Sequence, residues 1–228
     1  NTLPDMAIGR LPVVSVAETE QMVAKILAYE QNPPPGAWRS SLTFVTDNAF
    51  QSNGAVDPAG NFWALSDAIV DDPVLAPYAL TKQRIYLNLC SPATFAHCAL
   101  PDPPYAPYTT GVSMTTAIVA ALNEGRVLVN YIGHAAPATW AGSPPIFRAS
   151  DVASLSNGAR LPVMLDMTCY TGFFHSPAAT GAALSEVMLR KDGGGAIASW
   201  ASSGLSVVDG HDHMNRGFLR AVVAEGVR

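Results

Sequence analysis

Two stretches decide the fold: Val127-Leu128-Val129-Asn130-Tyr131-Ile132-Gly133-His134 and Leu161-Pro162-Val163-Met164-Leu165-Asp166-Met167-Thr168-Cys169. Each is a short run of apolar residues that ends in a residue with chemistry. The runs are too short for helices, and they do not alternate apolar with polar. That pattern belongs to strands buried on both faces, which occur in parallel sheets joined by helical crossovers. Val127–Ile132 and Val163–Met167 are therefore read as central strands.

Outward from this pair, strand and helix patterns alternate. Ala17–Gln31 reads as a helix, with Met22, Ile26 and Leu27 on one face and Glu18 and Glu20 in the first turn. Asn32-Pro33-Pro34-Pro35-Gly36 stops it. Leu42–Thr46, Arg84–Leu89 and Ala196–Trp200 read as strands. Phe62–Val70, Ser113–Asn123, Ala149–Leu155, Ala179–Arg190 and Asp212–Val223 read as helices, with Asp192-Gly193-Gly194 closing the fourth of these. Met6–Ile8 with Leu11–Val14 gives a first strand broken at Gly9-Arg10, and Cys90–Thr110 is a proline-rich loop. About six strands alternating with about six helices predict an α/β fold: a three-layer αβα sandwich on a mostly parallel six-stranded sheet.

Composition excludes other classes. Of 228 residues, 49% are apolar and 14% charged, the reverse of a disordered chain. The longest apolar stretch, Ala117–Leu122, is far below the roughly 18 residues a membrane span needs. A net charge of −5 with 13 scattered basic residues supplies no footprint for nucleic acid. Three cysteines are too few, and odd in number, for a disulfide-stapled miniprotein. The opening Asn1-Thr2-Leu3-Pro4-Asp5 carries no signal-peptide pattern, which decides nothing for a processed chain. The reading is one unit over residues 1–228.

In parallel sheets, ligands bind beyond the carboxyl ends of the strands. Those ends carry Asp47-Asn48, Gly133-His134-Ala135-Ala136, Thr168-Cys169-Tyr170-Thr171-Gly172 and Ala201-Ser202-Ser203-Gly204. A thiol beside an imidazole is a nucleophile with its base, because the imidazole favours the reactive thiolate. Cys169 and His134 are the candidate pair.

These blocks resemble the gingipain-type cysteine peptidases, which belong with caspases, legumains and separase. The resemblance rests on Val129–His134 and Leu161–Cys169, and on Asp151 through Leu155 with Asn157. It continues through Gly172-Phe173-Phe174, Ala183–Glu186 and Gly195–Ser199. The opening Asp5–Pro12 with Ile26–Glu30 is similar to the start of the gingipain catalytic subdomain. The stretch Asn48–Gly125 matches least. The resemblance implies a caspase-like fold and a cysteine endopeptidase. In it, Cys169 attacks the scissile carbonyl, His134 carries the proton, and the backbone N–H groups of Cys169 and Ala135 hold the oxyanion. It also implies that Asp47 orients His134. Asp57, with Ser202 and Ser203, is the candidate substrate pocket. The residue after the family's histidine is usually glycine; alanine at 135 is strained if that position needs φ > 0. The resemblance implies a bacterial protein outside the cell or on its surface, acting on protein or peptide substrates. It implies no required cofactor, allows calcium, and points to a partner N-terminal subdomain in the same protein.

Other readings compete. A catalytically silent scaffold or interaction domain keeps the fold without the chemistry. Asp209-Gly210-His211-Asp212-His213 is a metal-ligand-like cluster, read either as a metal hydrolase site or as a helix start capped by Asp212. His175 is a rival base, or a packing residue. Cys90 and Cys98 form a disulfide in an oxidising compartment and stay two loop thiols in a reducing one. No Gly-x-Ser-x-Gly and no phosphate-binding Gly-x-x-x-x-Gly-Lys-Ser/Thr is present.

Overall fold

A computed structural model of the chain describes residues 8–51, 53–89, 108–175 and 181–225. Helix α1 (Val16–Gln31) comes first. Strand β1 (Ser41–Thr46), helix α2 (Phe62–Val70), strand β2 (Thr81–Tyr86) and helix α3 (Gly111–Glu124) follow. Strand β3 (Leu128–Ile132) leads into three two-residue strands, β4 (Ala135–Ala136), β5 (Thr139–Trp140) and β6 (Phe147–Arg148). Then come a 3₁₀ segment (Ala149–Ser154), β7 (Val163–Met167), α4 (Leu184–Arg190), β8 (Ala198–Ala201) and α5 (Val208–Leu219).

The main sheet has five strands in the order β2-β1-β3-β7-β8, all paired in parallel. Successive side chains point to opposite faces of a strand, so each face acquires its own core. Val45, Ile85, Val129, Tyr131 and Met164 pack against α3, α4 and the β4–β6 hairpins. Phe44, Tyr86, Leu128, Ile132, Leu165 and Met167 pack with side chains of α2 and α5. This is the three-layer α/β sandwich, with five strands in the sheet among the described residues where six were expected.

The missing strand is the first one. Residues 6 and 7 lie outside the described residues, and Leu11–Val14 carries no strand. Pro12 lacks an N–H, and the Val13 N–H turns back to Leu11 O at 2.9 Å. Ile8 and Val14 stay exposed, so this apolar segment lies on the surface. The small antiparallel sheet β4-β5-β6 was not foreseen, because two-residue strands are too short to show a period. Strand β2 begins earlier than expected, at Thr81, since its polar first half lies on the sheet edge. Strand β8 starts at Ala198 because the Ala196 and Ile197 N–H groups are taken by Met188 O and Pro162 O. Helix α4 starts at Leu184, where the Glu186 carboxylate accepts the Ala183 N–H. Residues 179–180 of the expected helix lie outside the described residues. Helix α5 begins at Val208, so Asp212 is no cap; it pairs with Arg216 one turn on. The candidate pair Cys90 and Cys98 also lies outside the described residues.

Candidate active site

The tips that carry His134 and Cys169 leave neighbouring strands at the same level. Ile132 pairs with Met167 across β3 and β7. His134 and Cys169 each sit two residues beyond that rung. The Thr168 hydroxyl donates to Gly133 O (2.5 Å) and holds the strand ends together past the last rung. Adjacent strands run roughly 4.8 Å apart, so the backbone at His134 and at Cys169 leaves the sheet from neighbouring strands at one edge.

The histidine turn is tightly built. The Asp47 N–H donates to Ile132 O (3.1 Å), and an Asp47 carboxylate oxygen accepts the His134 N–H (3.4 Å). A Cβ at Gly133 would overlap Asp47 Cβ and the Tyr131 hydroxyl, so glycine is required there. Tyr131, fully buried, donates its O–H to His134 O (2.5 Å) and accepts the Ala141 N–H (3.0 Å). The imidazole itself is about half exposed. Its Nε2 lies 3.1 Å from Asp57 Oδ1, and Phe62 meets its edge at 5.3 Å between ring centres. Asp57 is fixed in turn: its Oδ1 also accepts the Ala59 N–H, and its own N–H donates to Ala49 O.

The acidic residue on the ring is therefore Asp57, and Asp47 holds the histidine's backbone. Asp47 is buried, and burial raises its pKa from 3.8 to about 6. The Asn48 and His134 N–H groups and the nearby imidazole offset part of that rise. Ala135 lies in β4 with extended backbone, and among the described residues the non-glycine ones at positive φ are Ala141 and Tyr170. The strain expected of alanine at 135 does not arise.

Cys169 opens a turn that depends on the loop after β8. The Tyr170 N–H donates to Gly204 O, the Gly172 N–H to Ser202 O and the Thr171 N–H to Cys169 O. Tyr170 takes the left-handed conformation at φ 61, which costs a non-glycine residue about 1 kcal/mol or more. The half-buried thiol touches Ser206: it donates to Ser206 O (3.7 Å) and lies 3.6 Å from Ser206 Oγ, which donates to Thr168 O (2.9 Å). Nothing in the sequence points to Ser206, which reaches the thiol from a separate loop.

Ser202 spends its hydroxyl on its own loop, donating to Gly204 O, and Ser203 is exposed beside it. Both stand on the loop that braces the cysteine turn. Asp57, grouped with them as a pocket residue, belongs to the histidine. His175 is exposed and stacks edge-on with Phe173 and Phe174. His211 is buried on α5, facing Met167 O, and burial lowers its pKa; His213 is exposed. The two histidines diverge, and among the described residues no three His, Cys, Asp or Glu gather to hold a metal ion. No helix among the described residues is long and apolar enough to cross a membrane.

Comparison with known proteins fits this geometry. The sequence matches peptidase family C25 over residues 1–228. No curated protein sequence matches it. Among solved structures it resembles gingipain R (RgpB), an Arg-specific cysteine proteinase, at TM-score 0.64 and 22% identity, covering 93% of this chain and 43% of that one. It resembles the complex of RgpB pro- and mature domains from Porphyromonas gingivalis at TM-score 0.61 and 22% identity, covering 88% and 42%. A further structure, described as a protease, matches at TM-score 0.62 and 18% identity, covering 90% and 38%. The chain thus spans less than half the length of these solved chains.

Proposed function

The chain belongs to peptidase family C25, and from that premise we propose that it is the catalytic subdomain of a cysteine endopeptidase. The observation that carries the reading is the Ile132↔Met167 register, which brings His134 and Cys169 to one sheet edge with Asp57 on the imidazole. Asp57 at Nε2 holds the ring and leaves Nδ1 to exchange a proton with the thiol. Cys169 Sγ, deprotonated by His134, attacks the scissile carbonyl carbon. The oxyanion that forms is held by the backbone N–H groups of Cys169 and Ala135; losing one such donor costs about 10²–10³ in rate. Collapse of the tetrahedral adduct breaks the C–N bond, and the imidazolium returns its proton to the leaving amine. A thioester to Cys169 remains. Water, deprotonated by His134, then releases the acid product and the thiol.

Substrates are peptides and proteins, with Ser202, Ser203 and the exposed Leu205 on the loop bonded to the Cys169 turn. No step runs through calcium. The same reading includes a second domain of the parent protein beside this one and a bacterial extracellular or cell-surface location.

The test is peptide-library cleavage by the full-length protein, with Cys169→Ala and His134→Ala variants. Cleavage within peptide chains that both substitutions abolish is the expected result. If the wild-type protein turns over nothing, and its Cys169 reacts with iodoacetamide no faster than a thiol in an unfolded peptide, the silent-scaffold reading replaces this one.

A further inference from the structure

Loop 202–207 runs from the end of β8 to the start of α5 and is bonded to the cysteine turn twice. The Tyr170 N–H donates to Gly204 O at 3.0 Å and the Gly172 N–H to Ser202 O at 2.9 Å. Leu205 and Val207 are 80% and 74% exposed, while Ser206 between them is half-buried. Ser206 makes three polar contacts there. The Cys169 thiol donates to Ser206 O at 3.7 Å, Ser206 Oγ lies 3.6 Å from Cys169 Sγ, and the Ser206 hydroxyl donates to Thr168 O at 2.9 Å. Among the described residues no hydrogen bond joins the thiol to His134, whose Nε2 faces Asp57. The polar groups against the resting sulfur are therefore those of Ser206.

A hydroxyl carries one proton and rotates it to suit its acceptor. At rest Ser206 spends that proton on Thr168 O, a neutral acceptor, while its carbonyl holds the proton of the thiol. When His134 takes the thiol proton, the carbonyl loses its donor and a full negative charge stands 3.6 Å from the hydroxyl oxygen. Hydrogen bonds to ions are roughly twice as strong as those between neutral groups, so the thiolate draws the hydroxyl away from Thr168 O. The serine keeps its proton throughout, and the proton that leaves sulfur ends on His134.

We propose that Ser206 is a further catalytic residue, whose hydroxyl donates to the Cys169 thiolate and holds it charged and in place until it attacks. The attack rests on the peptidase reading; the contact with sulfur does not. The competing role is that of a staple, in which the hydroxyl only ties loop 202–207 to Thr168 O.

Ser206→Ala removes the hydroxyl and leaves the carbonyl. Ser206→Thr keeps a hydroxyl, and Ser206→Val has the same shape without one. The full-length variants are compared with wild type by peptide cleavage, by Cys169 alkylation with iodoacetamide and by thermal melting. One further measurement needs no turnover: the ultraviolet thiolate absorbance that Cys169→Ala removes. A hydrogen bond to a charged group is worth about 10- to 100-fold. A thiolate without its donor is more nucleophilic and recovers about half of that on a logarithmic scale. The expected result for Ser206→Ala at neutral pH is therefore a kcat and an alkylation rate lowered about 3- to 10-fold, with KM unchanged and less thiolate absorbance. Ser206→Thr is faster than Ser206→Val in both assays. Rates and absorbance equal to wild type in Ser206→Ala, with only the melting temperature lowered, make the hydroxyl a staple and overturn the proposal. So does Ser206→Thr no faster than Ser206→Val. A wild-type protein that cleaves nothing removes the peptidase reading alone. Equal thiolate absorbance in wild type and Ser206→Ala then overturns the Ser206 contact, and a fall upholds it.

Discussion

Asp57 is the carboxylate that meets the His134 ring. Its carboxylate is fixed by the Ala59 N–H and meets His134 Nε2, while Phe62 closes one side of the ring. Asp57→Asn keeps the shape and removes the carboxylate charge beside His134 Nε2. The expected outcome is a fall in kcat on the order of 10²-fold with KM little changed, read from steady-state peptide cleavage. Asp47 behaves differently, because it is buried and its pKa is raised to about 6. The folded chain holds that proton more tightly than the unfolded one. The associated stability is present in full below pH 3.8 and is lost as pH rises through about 6. Asp47→Asn removes the penalty of a buried carboxylate. Urea unfolding at pH 4 and pH 7 checks this: relative to wild type, the variant gains on the order of 2 kcal/mol between the two. An equal difference at both pH values contradicts it.

Among the elements, α1 meets the end of α4 through a polar contact of unusual completeness, beside the Glu18–Arg190 ion pair at 3.7 Å. Lys25 Nζ donates to Leu189 O, Lys191 O and Gly194 O at 2.8, 2.9 and 3.0 Å, meeting the carbonyls at the end of α4. Burial lowers its pKa from 10.5 to about 8. The cation stands where a helix C-terminus attracts positive charge. Lys25→Met leaves three carbonyls without their donor at a cost of about 1–3 kcal/mol. Faster hydrogen exchange confined to 16–31 and 189–194, with alkylation of Cys169 unchanged, is the expected signature. The elements were largely legible in the sequence: Phe62–Val70 and Val163–Met167 match residue for residue, and α1 and β1 match to within one residue at their starts. Apolar period and stop signals mark long, buried elements. They do not mark the β4–β6 hairpins, which exist because the Ala141 N–H and the Trp140 ring find partners at the histidine turn.

At the scale of the whole molecule, one sheet serves two cores, and β7 stands near its middle. Leu165, fully buried, faces the α2 and α5 side, while Met164 faces α3 and α4. Leu165→Ala opens a cavity that the rigid sheet cannot close, costing about 2–5 kcal/mol. Because both layers share the strand, fluorescence and circular dichroism follow one transition at a lowered urea midpoint; separate transitions for the two layers contradict the shared core. The sequence by itself determined the α/β class, the parallel central strands and the place of His134 and Cys169 just past two strand ends. Those follow from local rules: apolar runs bury on both faces, and parallel strands end together. Only the tertiary structure decided which aspartate meets the imidazole, that Ala135 is unstrained, that Ser206 touches the thiol and that Tyr131 and Asp166 lie in one buried layer. Each of these is a contact between residues from separate strands or loops. Residues 47–51 and 53–61, where the described residues carry a lone Phe50–Val56 bridge and no strand or helix, take their course from packing on neighbours, and no period in the sequence encodes where packing will put them.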